Sequence, residues 1–390
     1  MKLCFVVPRC GANIVGGAET LVLQLAQRLQ HDRGHQVTIL TSCAEDNRSW
    51  KNVLQPGVEE ISGVKVQRFL LDERDLETWV PLQISIANGR SLTLAQELEW
   101  MNHSVKSAAL LEFLYKNSAN YDAIFFAPYL FGFTFWGSLA VADKAWLIPC
   151  LHDESYAYTK VIEAMFRIVN RALFNSVPEQ ELALSLYGPV QGGEVGLGFE
   201  ALYDIAEKSP ILGRYAVVLG RKETGKNVQL AIDYFIEGKS NGLIPQDLKL
   251  VIAGGGDFKD LFRDSALQRS DIVDVTRLTE PEKLALLRAA LVLIQPSTNE
   301  SFSIVLMEAW LCGTPVLVHG RGAVTRHHVL RSTGGLYFLN SNEFSGALAL
   351  LCEDSELRAT LGKNGADYVR TRYSWPAVLD RFESVVSVPV

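Results

Sequence analysis

Short apolar runs alternate with longer stretches of helical period along almost the whole chain, and that alternation restricts it to a layered α/β architecture. The run Leu3–Val7 is followed by a segment near Ala18–Gln30 whose Leu21, Val22, Leu25, Ala26 and Leu29 recur at intervals of three and four. A second apolar run, Gln36–Thr41, comes next. Further strands are predicted at Val64–Phe69, Ala123–Ala127, Ala145–Pro149 and Ala172–Asn175. Between Gly188 and Arg214 the pattern lapses into glycine-rich sequence without a sustained period. It then restarts, with strands at Tyr215–Leu219, Leu248–Ala253, Asp271–Val275, Leu291–Gln295 and Pro315–His319, and helices near Asn227–Glu237, Glu280–Ala289 and Ser303–Leu311. Strand–helix alternation builds parallel sheets covered on both faces, so two doubly wound domains facing across a cleft are expected. Their expected limits are 1–190 and 214–372, with a linker at 191–213 and a last helix, 373–390, available to pack back on the first domain.

Composition excludes several classes. The 390 residues are 48% hydrophobic and 21% charged, enough apolar material for two cores and too much for disorder. A formal charge of -7 gives no general attraction to nucleic acid or anionic lipid. The six cysteines lie mostly in apolar runs without any C-x-x-C spacing, which fits free thiols in a reducing, cytoplasmic compartment. The amino terminus begins like a signal peptide, but Pro8 and Arg9 end the apolar run after Val7, so it reads as a first strand. The long apolar region Ala123–Leu151 is broken by Asp143 and Lys144 into strand, helix and strand, short of the ~18 charge-free residues a membrane span needs. Docking on the inner face of a membrane is left open.

Four loops follow predicted strands at their carboxyl ends, the edge where open parallel sheets bind ligands. In the first, Gly16 and Gly17 precede a helix, so backbone amides can approach an anion; a flexible turn is the simpler account, and no G-x-G-x-x-G is present. In the second, His152 is followed by Asp153; a histidine held by an adjacent carboxylate can bond a substrate hydroxyl, or the pair can be a structural cap. The third sets Arg221 and Lys226 on one glycine-bounded loop, two cations suited to a diphosphate, although loop charges are commonly only solvated. The fourth, Pro296–Phe302, carries Glu300 and leads into a helix beginning near Ser303, whose free amides attract phosphate oxygens. Glu308 lies on that helix among Leu306, Met307, Ala309, Trp310 and Leu311, where a carboxylate needs partners; a carboxylate suits sugar hydroxyls better than phosphate.

The spacing R-x4-K at Arg221 and Lys226, then E-x7-E at Glu300 and Glu308 running into "CGTPVLV", resembles the donor-site motifs of the family 4 glycosyltransferases, retaining enzymes of the GT-B fold. "GGAE" at Gly16–Glu19 and "HD" at His152–Asp153 match the same family in order. The resemblance implies an α/β fold of two Rossmann-like domains and transfer of a sugar from a nucleotide-sugar donor. It further implies that Arg221 and Lys226 bind the donor diphosphate with the amides of Phe302, Ser303 and Ile304. Glu308 would then accept from the ribose, Glu300 and His152 would serve the transferred sugar, and Gly16 and Gly17 would let the first loop close on the phosphates.

Asn227 stands where the family usually has glycine after the lysine, and the stretch Gly192–Gly198 lacks the usual asparagine-glycine. The reaction usually proposed for the family, which the resemblance implies here, is a front-face transfer in which the leaving diphosphate takes the acceptor's proton. No D-x-D occurs, so no metal and no cofactor is expected. The expected partners are a nucleotide sugar and a glycan, polysaccharide-precursor or lipid-linked acceptor, with no nucleic acid. Trp79, Trp100, Trp136 and the loop Asp72–Ser91 are the acceptor surface the first domain offers. An oxidoreductase on the same sheets would require the missing dinucleotide fingerprint. A non-catalytic nucleotide-sugar-binding protein of the same fold is the alternative.

Overall fold

The computed structural model describes residues 1–12, 14, 16–200 and 207–387; residues 201–206 of the expected linker and 388–390 of the expected last helix lie outside the described residues. The chain divides into two compact units, Met1–Leu197 with Val378–Val390, and Gly198–Ala377.

The first unit is built on eight strands: β1 (Lys2–Val6), β2 (Gln36–Ser42), β3 (Gly57–Ile61), β4 (Val64–Phe69), β5 (Ala123–Phe126), β6 (Ala145–Leu147), β7 (Arg171–Phe174) and β8 (Gln191–Glu194). Their order is β3-β4-β2-β1-β5-β6-β7-β8, parallel except for the hairpin β3–β4. The central strands are apolar throughout because helices cover both faces; Leu3, Cys4, Phe5 and Val6 are fully buried. The edge strands β3 and β8 are polar, "GVEEI" and "QGGE", and only their place in the sheet makes them strands. In β8 a side chain at Gly192 would run into the carbonyl of Ala172 on β7, and its φ of 125 is one that L side chains rarely adopt. The stretch read as the start of a linker is therefore the last strand of the sheet.

Between β4 and β5 the chain forms three helices, Leu76–Ala87, Leu94–Asn102 and Ala108–Asn117, capped by Asp75, Thr93 and Ser107. This replaces most of the expected loop Asp72–Ser91. Trp100 is buried there, and its Nε1 donates to Gln83 Oε1 at 2.7 Å. The helix Trp375–Val386 returns to the first unit from Val378 onward, with Phe382 against Phe125 (ring centroids 5.3 Å apart) and Asp380 paired with Arg33.

The second unit holds six parallel strands: β9 (Tyr215–Leu219), β10 (Lys249–Ala253), β11 (Ile272–Val275), β12 (Val292–Gln295), β13 (Val316–His319) and β14 (Gly335–Phe338), in the order β11-β10-β9-β12-β13-β14. The chain winds outward from β9 through β10 to β11, then crosses back to β12 and winds the other way. The switch point thus lies between β9 and β12, and the loops leaving their carboxyl ends flank the crevice where such sheets bind ligands. No helix among the described residues is long and apolar enough to cross a membrane.

Candidate functional site

The two loops at that crevice are 220–227 and 296–303, and they hold Arg221, Lys226, Glu300, Phe302 and Ser303 of the residues singled out in the sequence. Lys226 closes a short 3-10 turn, Thr224–Lys226, and Asn227 follows in the left-handed region at φ 57, ψ 27. Asparagine tolerates that conformation better than most residues, so it replaces glycine without changing the sign of the turn. Its side-chain amide also donates to the carbonyl of Pro296 at 3.1 Å, fastening the β9 loop to the β12 loop.

Across that tie, Lys226 Nζ lies 2.7 Å from Glu300 Oε1, in a pair whose side chains are mostly withdrawn from solvent. Gln295, the last residue of β12, is buried and directs Nε2 to Ser303 Oγ at 3.1 Å and Glu300 Oε1 at 3.5 Å. Ser303 caps the helix Ile304–Leu311 from a positive φ of 72. The ring of Phe302 is buried against Phe199, His328 and Tyr373. What Phe302 can offer a ligand is its main chain, at the amino end of a helix whose first amides lack helical partners.

Glu308 sits on that helix, and the partner its burial demands is Lys283, whose Nζ is 2.7 Å from Oε1. Lys283 belongs to the helix Glu280–Ala289 and also meets Glu280 at 2.7 Å. Burial pushes the carboxyl of Glu308 above the usual carboxylate range against the pull of Lys283. Burial likewise pulls the Lys283 ammonium down, but Glu308 and Glu280 outweigh it and hold the ammonium above its ordinary value.

The remaining cations of the β9 loop differ in kind. Arg221 is 63% exposed and pairs with Glu223 at 3.1 Å. Lys222, the residue after Arg221, is fully buried: Nζ meets Asp274 at 2.7 Å and donates to the Gly254 carbonyl at 2.8 Å. It holds the β9 loop to the β10 and β11 ends and is a structural cation.

In the first unit, Gly16 adopts an extended conformation and Gly17 opens the helix Gly17–Arg33. The carboxylate of Glu19 folds back over Gly16, occupying the space a side chain there would need, and pairs with Arg9. The helix end thus already faces a carboxylate of its own.

His152 Nδ1 is turned to Glu154 Oε1 at 3.7 Å, and that oxygen accepts from Tyr129 Oη at 2.6 Å. The expected orienting residue, Asp153, instead accepts from Tyr158 at 2.6 Å, because the chain turns into the short helix Ser155–Tyr158 directly after it. Burial raises the carboxyl of Glu154, but hydrogen bonds from His152 and Tyr129 outweigh it and bring it below its ordinary value. Behind the loop, Glu179 is fully buried and accepts from the amides of Leu151 at 2.6 Å and Asn175 at 2.5 Å. Burial pushes its carboxyl up to about 8.

Lys283, Gln295, Glu154, Tyr129 and Glu179 were not found by sequence reading. The polar residue ending the apolar strand "VLIQ" is the one local signal that could have drawn attention to Gln295. No cluster of three or more His, Cys, Asp or Glu side chains placed to hold a metal ion occurs among the described residues.

Residues 206–368 match the family profile described as Glycosyl transferases group 1. An uncharacterised glycosyltransferase of Methanocaldococcus jannaschii is 23% identical over 100% of this chain and 98% of its own length. A D-inositol 3-phosphate glycosyltransferase of Corynebacterium glutamicum is 31% identical over 36% of this chain and 35% of its own. Among solved structures, the sucrose-phosphate synthase of Thermosynechococcus elongatus is similar over 98% of both chains, with a TM-score of 0.69 and 17% identity. Anabaena HepE in complex with UDP and glucose covers 100% of both chains, with a TM-score of 0.70 and 17% identity.

Proposed function

We propose that this chain, whose residues 206–368 match the group 1 glycosyltransferase profile, is a metal-independent, retaining hexosyltransferase that moves a sugar from a nucleotide-sugar donor to a glycan, polysaccharide-precursor or lipid-linked acceptor. The observation that carries the proposal is the pair of lysine–glutamate contacts at the switch point, Lys226–Glu300 and Lys283–Glu308. Each carboxylate is held by a cation at the end of the sheet where such folds bind ligands. Structures of similar fold have been solved with UDP and glucose and with UDP-2-fluoro glucose, which supports a uridine donor as the first to test.

In this reading the donor diphosphate takes Lys226 and Arg221, together with the amides of Phe302, Ser303 and Ile304. Glu300, relieved of Lys226, accepts from hydroxyls of the transferred sugar, and Glu308 accepts from the ribose. His152, with Nδ1–H turned toward the Glu154 carboxylate, has Nε2 to accept from a hydroxyl of that sugar. Gly16 and Gly17 serve the phosphates only after the carboxylate of Glu19 moves aside. The departing diphosphate accepts the proton of the acceptor hydroxyl, and the cations stabilise its developing charge. The reaction is placed in the cytoplasm, where nucleotide sugars and reduced thiols coexist.

The test is a thermal-shift panel of nucleotide sugars followed by a transfer assay in chelator. A cognate donor at 100 times its dissociation constant adds about 2.7 kcal/mol of stability, a readily measured shift. A panel in which no nucleotide sugar and no nucleoside diphosphate stabilises the protein refutes the reading, and binding without turnover favours the non-catalytic alternative.

A further inference from the structure

A fully buried ionisable ring lies directly behind the loop that offers main-chain amides to the proposed diphosphate. His328, on the helix Ala323–Ser332, is completely enclosed, and its ring meets that of Phe302 edge-on with 5.6 Å between centroids. Its two nitrogens differ in situation. Nδ1 lies 3.0 Å from Tyr368 Oη, and that hydroxyl is 3.4 Å from Tyr373 Oη. Nε2 is enclosed and has no hydrogen-bond partner within reach among the described residues. A buried polar atom left without a partner is costly, so its presence asks for a use.

Burial pulls the imidazole down to about 3, His327 and Arg372 add to that pull, and the main chain of Phe302 opposes it. A main-chain group that favours the charged ring is an acceptor, so the group acting from Phe302 is its carbonyl. The neutral ring carries a single N–H. Since the carbonyl only accepts and the Tyr368 hydroxyl can donate to Nδ1, the tautomer that suits both neighbours has its hydrogen on Nε2. The Phe302 carbonyl belongs to the same peptide unit as the Ser303 amide. In a trans peptide the two point in opposite directions, so a donor that holds the carbonyl toward the core directs the Ser303 N–H away from it. Ser303 is fixed from its other side, at a φ of 72, with Oγ accepting from the buried Gln295 at 3.1 Å. The Phe302 ring is packed against Phe199, Tyr373 and His328, so the peptide unit and not the ring is the part that can turn.

We propose that His328 is a positioning residue for the donor diphosphate: its Nε2–H takes the Phe302 carbonyl as partner and sets the Phe302–Ser303 peptide so that the Ser303 amide faces the phosphate. The inference rests on the transferase reading above. A hydrogen bond to the carbonyl also polarises the amide of the same peptide and strengthens it as a donor to an anion. The neutral ring therefore orients the loop without adding a charge, which distinguishes its part from that of Lys226 and Arg221. The proton stays on His328 throughout.

Calorimetry of the full chain with nucleoside diphosphate, beside an NMR titration with the bare nucleoside, tests the proposal on two variants. The amide of a glutamine reaches close to where Nε2 stands and that of an asparagine close to where Nδ1 stands. His328→Gln therefore keeps a donor for Phe302, and His328→Asn keeps one only for Tyr368. His328→Asn should weaken nucleoside diphosphate by about ten-fold or more while the nucleoside changes by less than about two-fold, and His328→Gln should recover most of the loss. In NMR spectra of wild type with isotope-labelled histidine, the His328 ring should be the neutral tautomer with its hydrogen on Nε2. That signal should shift on adding nucleoside diphosphate and not on adding nucleoside. It is read on wild type, so it decides the matter even where a variant fails to fold. A hydrogen on Nδ1 overturns the proposal, as does a loss shared equally by nucleoside and diphosphate. So does recovery by His328→Asn in place of His328→Gln, which makes the role a structural one through Tyr368. A wild type that binds no nucleoside diphosphate refutes the transferase reading and this inference with it, whereas binding that both variants retain in full refutes the assignment of His328 alone.

Discussion

Replacing Lys283 by methionine removes the cation beside Glu308 while keeping the length and apolar stem of the side chain. The ammonium and carboxylate are 2.7 Å apart, with side-chain exposures of 20% and 16%. A pair in that position falls between an exposed ion pair, worth about 0–1 kcal/mol, and a buried one, whose breaking costs about 3–5 kcal/mol. We therefore expect Lys283→Met to lose about 2 kcal/mol of stability, read as a lower urea midpoint with an unchanged slope. The functional consequence is more specific. Burial already pushes the Glu308 carboxyl up, and without Lys283 nothing opposes that push, so the variant's carboxyl is raised further than the wild type's. A protonated carboxyl is a weaker acceptor for ribose hydroxyls than a carboxylate. Losing a charge-assisted contact of this kind costs about 1.5–3 kcal/mol, or roughly ten-fold to more than a hundred-fold in affinity. The assay compares a nucleoside diphosphate with its 2′-deoxy counterpart by calorimetry across pH. Wild type should prefer the ribonucleotide throughout; Lys283→Met should show a weaker preference that strengthens as rising pH ionises Glu308. Lys283→Arg should keep it. Equal discrimination by wild type and Lys283→Met at every pH, with both folded, refutes the assignment of Lys283 and Glu308 to the ribose.

Lys226→Ala should weaken nucleoside diphosphate and nucleotide sugar alike, by about 1.5–3 kcal/mol in calorimetry, because the diphosphate is common to both. Glu300→Gln should cut transfer severely in a turnover assay while nucleoside diphosphate binds as well as before or better, since Lys226 loses its internal competitor. Asn227→Gly should be tolerated, whereas Asn227→Val should cost about 1–2 kcal/mol in chemical denaturation, the penalty for a β-branched residue held in the left-handed region. Glu179 gives a pH signature. Its folded carboxyl is pushed up to about 8, so the protonated folded form contributes stability that is fully present below the unfolded value and is lost as pH rises toward 8. Between about pH 5 and 8 the fall should approach but not exceed about 1.4 kcal/mol per pH unit from this group, and Glu179→Ala, a weaker fold at acid pH, should lack that slope.

The fold was legible wherever a strand is buried on both faces or a helix has one wet side. Leu3–Val6 and Tyr215–Leu219 are apolar because helices cover them above and below, and a continuous apolar run bounded by turn residues has few other readings. The edge strands were illegible for the converse reason. Val58, Glu59 and Glu60 of β3 are exposed, and β8 is "QGGE"; their strand state comes from the neighbour they pair with, which local sequence does not encode. The three helices from Leu76 to Asn117 were missed because the apolar positions exposed at Leu76, Val80 and Ile84 add a second period to the buried one at Ile86 and Trp100, and an apolar residue on each face erases the contrast that marks an amphipathic helix.

The candidate site divides along a similar line. Residues whose chemistry is set by their own loop, such as Lys226, Glu300 and Glu308, stood out because a charge at the carboxyl end of an apolar strand or within an apolar helix has few structural uses. Residues defined by a partner far along the chain did not. Lys283 is an unremarked lysine in "TEPEKLALL" until the sheet order sets its helix beside Glu308, and Glu154 looks no different from Asp153 until the turn at Ser155 sends one carboxylate to Tyr158 and leaves the other with His152. The same reasoning bears on Asn227. As a motif it departs from glycine and leaves the turn in doubt; as a conformation it keeps the left-handed φ that the lysine loop requires and adds a hydrogen bond to Pro296 that glycine cannot make. A substitution that breaks a sequence pattern can therefore conserve the geometry the pattern serves, and here it ties the loop of the proposed diphosphate cations more firmly to the loop of the proposed sugar-binding glutamate.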